Sequence, residues 1–320
     1  MKKLSSLIFL LVLSPVLCFS QIKLSAKTGI FQTDINEILL DKTGQDAQIT
    51  SFLDWKTYIA PVISINAEYK TSNNLFFGLN SFYTIPVSYG VIEDFDYMNV
   101  FSTGGNERTH YSNHKNNLDY YWNAELLFGA SGNIGKKIEL SSLLSLEYLY
   151  YSFSAFDGYK QYGTKTGTEN GQNVYSPWND EIPKVSMQGK LITLEAQKLY
   201  FGIGTCLDFY LSESITVSLL LKIKPSLLCT VKDTHYKRNS PYNYFELGSE
   251  LAFDSALLLE YKLNKKNALT LSLNFSACAV NDGKLYISQD KNEWISSSNP
   301  CGLKEINWKV LLGYTYIYEK

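Results

Sequence analysis

The feature that most constrains this chain is the sorting of its connections. Ten runs alternate apolar and polar residues one by one, at roughly 22–32, 50–69, 73–90, 117–131, 137–153, 190–210, 215–232, 244–262, 267–281 and 305–318. Short turns at Thr71–Asn73, Gly132–Lys136, Ser212–Ser214 and Asn264–Lys266 alternate strictly with long connections at 33–49, 91–116, 154–189, 233–243 and 282–304. A soluble meander has no reason to sort its loops. A bacterial membrane barrel does, because short turns face the periplasm and long loops face outward. An even number of strands also closes a sheet without leaving edges. The sequence therefore predicts an all-β, ten-stranded antiparallel transmembrane barrel with long extracellular loops.

The alternation itself fits a barrel in lipid. Leu118, Tyr120, Trp122, Ala124, Leu126 and Phe128 share one face, while Asp119, Asn123 and Glu125 share the other. In the last run, Ile306, Trp308, Val310, Leu312 and Tyr314 oppose Asn307, Lys309 and Thr315. Phe245 to Tyr261 carries Glu246, Glu250, Asp254 and Glu260 on its polar face. The apolar faces would meet lipid and the polar faces would fill the lumen. A strand needs about ten residues to cross a bilayer. Many of these runs are longer, so they are expected to project beyond it. Glu125, Glu147, Glu195, Glu250, Asp254, Lys222 and Lys309 fall on the predicted inward face. Such mixed charge would plug a narrow lumen and disfavours a passive pore.

The one long apolar run, Leu7 to Leu17, follows Lys2 and Lys3. It is too short to span a bilayer and reads as the core of a signal peptide. Cleavage after Ser20 is expected, giving a signal peptide at 1–20 and a single barrel domain at 21–320. An uncleaved anchor and lipid attachment at Cys18 are the alternatives, the second poorly served by the bulky Leu17. The formal net charge of -2 gives no bulk attraction to nucleic acid, and no nucleic-acid partner is expected. The 24 Tyr and 17 Phe suit membrane interfaces. Cys206, Cys229, Cys278 and Cys301 show no metal-ligand spacing and read as free buried thiols. No metal or other cofactor is expected.

Two short clusters on the long-loop side can carry chemistry. The first holds Asp94 and Asp96 in Glu93-Asp94-Phe95-Asp96-Tyr97, after the third run. Residues two apart in extended chain share a face. The apolar residues Leu75, Phe77, Leu79, Tyr83 and Val87 are odd-numbered, so that phase points both aspartates inward. Neighbouring carboxylates raise one another's pKa, which makes one of them a usable base. The second cluster holds Asp233 and His235 in Lys232-Asp233-Thr234-His235-Tyr236. A carboxylate beside an imidazole orients it and strengthens it as a base. Strands three and seven of ten stand opposite one another. A water held between the clusters would be a nucleophile for an amide carbonyl.

These motifs resemble the omptins, outer-membrane endopeptidases built on ten-stranded barrels, whose site pairs D-x-D with D-x-H across the barrel mouth. Ser51-Phe-Leu-Asp-Trp55 is similar to the family's S-x-L-D-W, and Tyr151-Ser-Phe-Ser-Ala155 to another family stretch. The resemblance implies that Asp94 and His235 polarise the attacking water, with Asp96 supporting Asp94 and Asp233 orienting His235. It implies substrate contacts from Glu37 in the first long loop and from His114, a loop histidine before the fourth strand. The family uses an aspartate two before its D-x-H to hold basic side chains. Val231 stands there, beside Lys232. A preference for basic sites is therefore in doubt. Lipopolysaccharide binding in the family uses an acidic and a basic residue near strand five. Leu146, Tyr148 and Tyr150 occupy the matching positions, so dependence on that lipid is not carried over.

The expected function is hydrolysis of peptide or protein substrates at the extracellular mouth of a monomeric barrel embedded in outer-membrane lipid. A non-catalytic adhesin of the same fold is the alternative. One condition attaches to the site. In strand seven the apolar residues Ile215, Val217, Leu219, Leu221 and Ile223 are odd, and unbroken alternation would turn Asp233 and His235 outward. A bulge between Pro225 and Leu228 is predicted to reset the phase.

Overall fold

A computed structural model of the chain describes residues 19–41, 48–99, 107–169, 171–239, 241–279 and 283–319. Almost all of the expected signal peptide lies outside them. The described residues contain no helix. Fifteen strand segments run in order: β1 Phe19–Asp41, β2 Gln48–Thr71, β3 Leu75–Thr84, β4 Gly90–Asp96, β5 His110–Ile134, β6 Ile138–Tyr162, β7 Lys165–Glu169, β8 Gln172–Tyr175, β9 Val185–Tyr210, β10 Ile215–His235, β11 Tyr242–Leu247, β12 Leu251–Asn264, β13 Asn267–Cys278, β14 Gly283–Ser288 and β15 Ile295–Glu319.

These segments make ten barrel strands. β3 and β4 are two pieces of the third strand, since both pair with β2 and β5. β12 and β11 both pair with β10, and β13 and β14 both pair with β15, so strands eight and nine are interrupted in the same way. β7 and β8 form a separate hairpin in the connection after β6. The ring closes where β1 pairs antiparallel with β15, from Gln21 opposite Glu319 to Leu39 opposite Cys301. With every backbone ladder satisfied by a neighbour, no edge is left to lipid.

The strands run further outward than the alternation indicated. β1 reaches Asp41, β5 begins at His110, β6 ends at Tyr162 and β9 begins at Val185. Much of the sequence expected as loop is therefore strand above the bilayer. The short turns lie where expected: 72–74, 135–137, 211–214 and 265–266. Two of them use a left-handed residue, Asn74 at φ 61° and Gly135 at φ 73°, types that tolerate that geometry.

Side chains sort by parity. Ile63, Ile65, Leu79, Leu126, Phe128, Leu144, Ile203, Leu257, Leu271 and Leu312 are exposed on the outside, a belt that only lipid would cover. Inside, the lumen is layered. Nearest the short turns lies a cavity of about 660 Å³ lined by charged groups such as Lys23, Glu68, Asp208 and Glu260. Above it sits a buried ion-pair layer. Lys222 pairs with Glu125 and, at 3.2 Å, with Asp254. Lys224 pairs with Glu147 at 2.6 Å and Asp254 at 2.7 Å. Lys198, fully buried, joins Glu250 at 2.9 Å and Glu305. Above that, Phe31, Trp55, Tyr121, Tyr151, Phe153 and Phe245 fill the lumen. The predicted charge plug is thus present, with two corrections. Glu195 has odd parity in β9, where the even residues Leu194, Ala196 and Lys198 are buried. It lies outside, with Tyr150 Oη donating to it at 3.3 Å. Glu246 is also exposed, because the break between β11 and β12 changes the phase of that strand and turns Phe245 inward instead.

Removing one partner from a buried charge cluster costs about 3–5 kcal/mol, because the remaining charges lose their compensation. Lys198→Met is therefore expected to lower the stability of the refolded barrel by roughly that amount. Triple replacement with Glu250→Gln and Glu305→Gln should recover most of the loss. Unfolding in denaturant, followed by the heat-dependent shift of the folded band on a gel, measures both.

Candidate active site

The outer ends of β1, β2, β4 and β5 bring a row of inward side chains into register. Glu37 lies opposite Leu53, Leu53 opposite Asp94, and Asp94 opposite Ser112. Even parity carries through strand three despite its break, so Asp94 is buried and Asp96 half-buried, on the inward side. Glu37 is also buried, on β1 and not in a loop.

The other wall depends on an irregularity. β10 pairs regularly with β9 up to Ile223, then its register shifts between Ser226 and Leu228. Below the shift the buried residues are even: Lys222, Lys224 and Ser226. Above it they are odd: Cys229, Val231, Asp233 and His235. This is the bulge that the sequence requires, at the place predicted. One extra residue moves Asp233 and His235 from the lipid side to the lumen. Asp233 is 0% exposed and His235 5%.

The dyad is well held. His235 Nε2 lies 2.6 Å from Asp233 Oδ2, and Asn243 Nδ2 donates to the same oxygen at 2.8 Å. With Nε2–H donating to the carboxylate, Nδ1 of a neutral imidazole is left as the free base. Val231 is fully buried against Ala196 and Phe245. It forms the floor below Asp233 and presents no surface to a bound molecule.

His114 stands on β5, not in a loop, because that strand begins four residues before it. Its Nδ1 donates to the Asp157 carbonyl at 2.6 Å, and its Nε2 meets Ser112 Oγ at 2.9 Å. Burial pushes its pKa down, the Asp157 carbonyl opposes that, and the charge of His235 lowers it further. His235 thus acts on His114 electrostatically across the mouth, and Ser112 touches both His114 and Asp94. His110 is held against Tyr162 and Tyr175, at ring-centre distances of 4.4 and 4.7 Å.

The walls are close enough to act on one another electrostatically. Burial raises the pKa of Glu37 well above the carboxylate range, and the charges of Asp233 and Asp94 raise it further. Burial does the same to Asp94, reinforced by Asp96 and Asp233. Arg238, in the turn after β10, opposes both shifts. Its Nη2 lies 3.8 Å from Asp94 Oδ2. Thus Glu37, Asp94, Asp96, Asp233, His235 and His114 converge on one mouth, with Val231 beneath it. Sequence reasoning missed Arg238, Asn243 and Ser112. Parity marked Ser112, two before His114 on the same inward face. Nothing in the sequence marked the reach of Arg238. Among the described residues, no cluster of three or more His, Cys, Asp or Glu side chains has the geometry of a metal site.

The sequence matches the Omptin family over residues 18–318, nearly the whole chain. Comparison with curated proteins finds no match. Among solved structures, the outer membrane protease OmpT from Escherichia coli superposes with a TM-score of 0.81 at 16% identity, over 93% of this chain and 97% of that one. The translocator domain of the autotransporter NalP from Neisseria meningitidis gives a TM-score of 0.37 at 12% identity, over 93% and 88%. OprG from Pseudomonas aeruginosa gives 0.36 at 9% identity, over 95% and 98%. The OmpT likeness shows the barrel fold, and the family match, which spans both walls of the mouth, makes this chain a bacterial outer-membrane barrel of the omptin family.

Proposed function

We propose that this barrel is an endopeptidase of aspartate–histidine type that hydrolyses peptide bonds at its extracellular mouth. The observation that carries the reading is the Asp233–His235 dyad, turned inward by the β10 bulge to face a buried Asp94. OmpT, a solved structure with the same fold, is an outer membrane protease.

In this reading a water sits between Asp94 and His235. His235 takes a proton from it as it attacks the scissile carbonyl, and later returns that proton to the leaving amine. Asp233 fixes the imidazole, stabilises its charged form and is itself anchored by Asn243. Asp94 orients the water from the opposite wall, with Asp96 behind it. Glu37 and His114 contact the substrate chain. Peptides or proteins outside the cell are the substrates, and the barrel works as a monomer in outer-membrane lipid. Leu146, Tyr148 and Tyr150 lie along the outer wall of β6, so dependence on lipopolysaccharide is not carried into the reading.

Two measurements test this. General acid–base groups contribute about 10²–10⁴-fold to rate, so Asp94→Ala and His235→Ala should each lose that much turnover. Refolded parent and variants are compared on a peptide library, and equal turnover by all three sinks the mechanism.

The second concerns pH. Asp94 acts as a carboxylate, so activity must fall on the acid side as it protonates. Its neighbours are Asp96 on its own strand, Glu37 on β1, Ser112, His110 and His114 on β5, Tyr162 on β6, Asp233 and His235 on β10, and Arg238. Burial first, then Asp96, raises its pKa. Removing the Asp96 charge lowers that pKa, so the base form persists to lower pH. Asp96→Asn should therefore move the acid limb of the kcat/KM profile to lower pH. A limb that stays in place or moves up contradicts the role given to Asp94.

A further inference from the structure

The acidic mouth carries a cation of its own. Arg238 sits in the turn 236–239 between β10 and β11, three residues beyond His235. Its backbone N–H donates to the His235 carbonyl at 3.2 Å, which pins the turn to the strand bearing the dyad. From there the guanidinium crosses the mouth to Asp94 on β4, with Nη2 at 3.8 Å from Oδ2. Its charge is felt by Asp96, Asp233 and Tyr162 as well. One loop arginine therefore lies over carboxylates contributed by β4 and β10.

Its hold is loose. A separation of 3.8 Å is at the outer limit of an ion pair, and the Arg238 side chain is 44% exposed against 5% for Asp94. Pairs with an exposed partner contribute little and are readily exchanged. Beneath it, three buried carboxylate oxygens have no hydrogen-bond partner: Glu37 Oε2, Asp94 Oδ1 and Asp233 Oδ1. Buried acceptors of this kind are costly unless a donor meets them. The mouth is therefore built to take further N–H donors, yet a positive charge already stands over it. A basic side chain entering from outside finds suitable acceptors and a like charge together, which is how specificity by repulsion works.

We propose that Arg238 is a specificity-determining residue, a resident cation whose charge opposes the approach of arginine or lysine side chains of a bound peptide to the acidic mouth, where Glu37 is the carboxylate left free for substrate. Its effect is to disfavour basic residues in the position a vacant acidic mouth would favour. For cleavage this rests on the peptidase reading; for binding it does not.

The test uses the full barrel refolded in detergent as parent, Arg238→Gln and Arg238→Lys. Two fluorescent peptides differ at one central residue, Arg in one and Gln in the other. Binding is read by anisotropy and cleavage by separated kcat and KM. Arg238→Gln should bind the Arg peptide about three- to fivefold more tightly, as expected for removing one nearby like charge from a partly exposed site. Its gain in kcat/KM should lie in KM. The Gln peptide should change little, and Arg238→Lys should behave like the parent. An Arg peptide bound no more tightly by Arg238→Gln overturns the proposal. So does a loss of kcat for both peptides at unchanged KM, which would make Arg238 a transition-state group. A tighter Arg peptide with no cleavage by any protein would sustain the repulsion and sink the peptidase reading. Cleavage without any shift in binding would do the reverse.

Discussion

In a closed ring of strands each residue has two destinations, lumen or lipid, and parity decides between them. The β1–β15 ladder that closes this barrel therefore governs everything else in it. It removes the free edge, so no strand can slide to correct a side chain facing the wrong way. A carboxylate turned outward at membrane depth would be costly, and a leucine turned inward would break the polar lumen. The only adjustments left are local: an extra residue, or a break in a strand. The chain uses both. β10 takes an extra residue between Ser226 and Leu228, β5 takes one between Leu118 and Tyr120 that turns Leu118 inward and not onto the lipid face expected for it, and strands three, eight and nine are broken between β3 and β4, β11 and β12, and β13 and β14.

These adjustments explain which parts of the structure were legible in the sequence. The ten strands, their order and the sorted turns follow from alternation alone. The inward placement of Asp94 follows from the odd apolar residues of strand three. His235 was legible for a less direct reason. Its motif and its parity disagreed, and the disagreement located the bulge near Pro225. Glu246 and Glu195 show the limit. Glu246 was placed by extending one phase across the whole of strand eight, and the break before β12 invalidates that extension. Glu195 simply has the outward parity of β9, where it meets the aromatic wall through Tyr150. Strand ends were the least legible. Above the bilayer the inward face of β5 is polar, so His110, Ser112 and His114 carry no apolar alternation and look like loop residues in sequence although all three pair with β4. Arg238 was illegible because its importance comes from a contact across the barrel, some 144 residues away from Asp94 in sequence.

The lumen separates two kinds of buried charge. In the middle layer, Lys198, Lys222 and Lys224 meet Glu250, Glu305, Glu125, Glu147 and Asp254, so opposite signs alternate and the cluster closes the channel. At the mouth the carboxylates outnumber the cations, and three of their oxygens lack donors. Between them lies the layer of Phe31, Trp55, Tyr151, Phe153 and Phe245, which keeps the lysines below from reaching the acids above. The aromatic core thus separates the paired layer from the unbalanced mouth as well as filling space.

That imbalance has a thermodynamic sign. Glu37 and Asp94 hold protons more tightly in the folded barrel than in the unfolded chain, because burial and neighbouring carboxylates raise both pKa values. Groups raised in this way give their full stabilisation below the ordinary carboxylate pKa and lose it as pH rises through the folded value. Ionising the mouth therefore works against the fold, and the opposing stabilisation must come from elsewhere. The rings of backbone ladders and the paired lysines below supply it without sharing residues with the mouth. Because the outer ends of β1, β5 and β10 are continuous with those rings and β4 is paired between β2 and β5, repulsion among the acids cannot separate the walls independently of the barrel. The carboxylates stay close while like-charged, which is the state a base near neutral pH requires and which a flexible loop could not maintain.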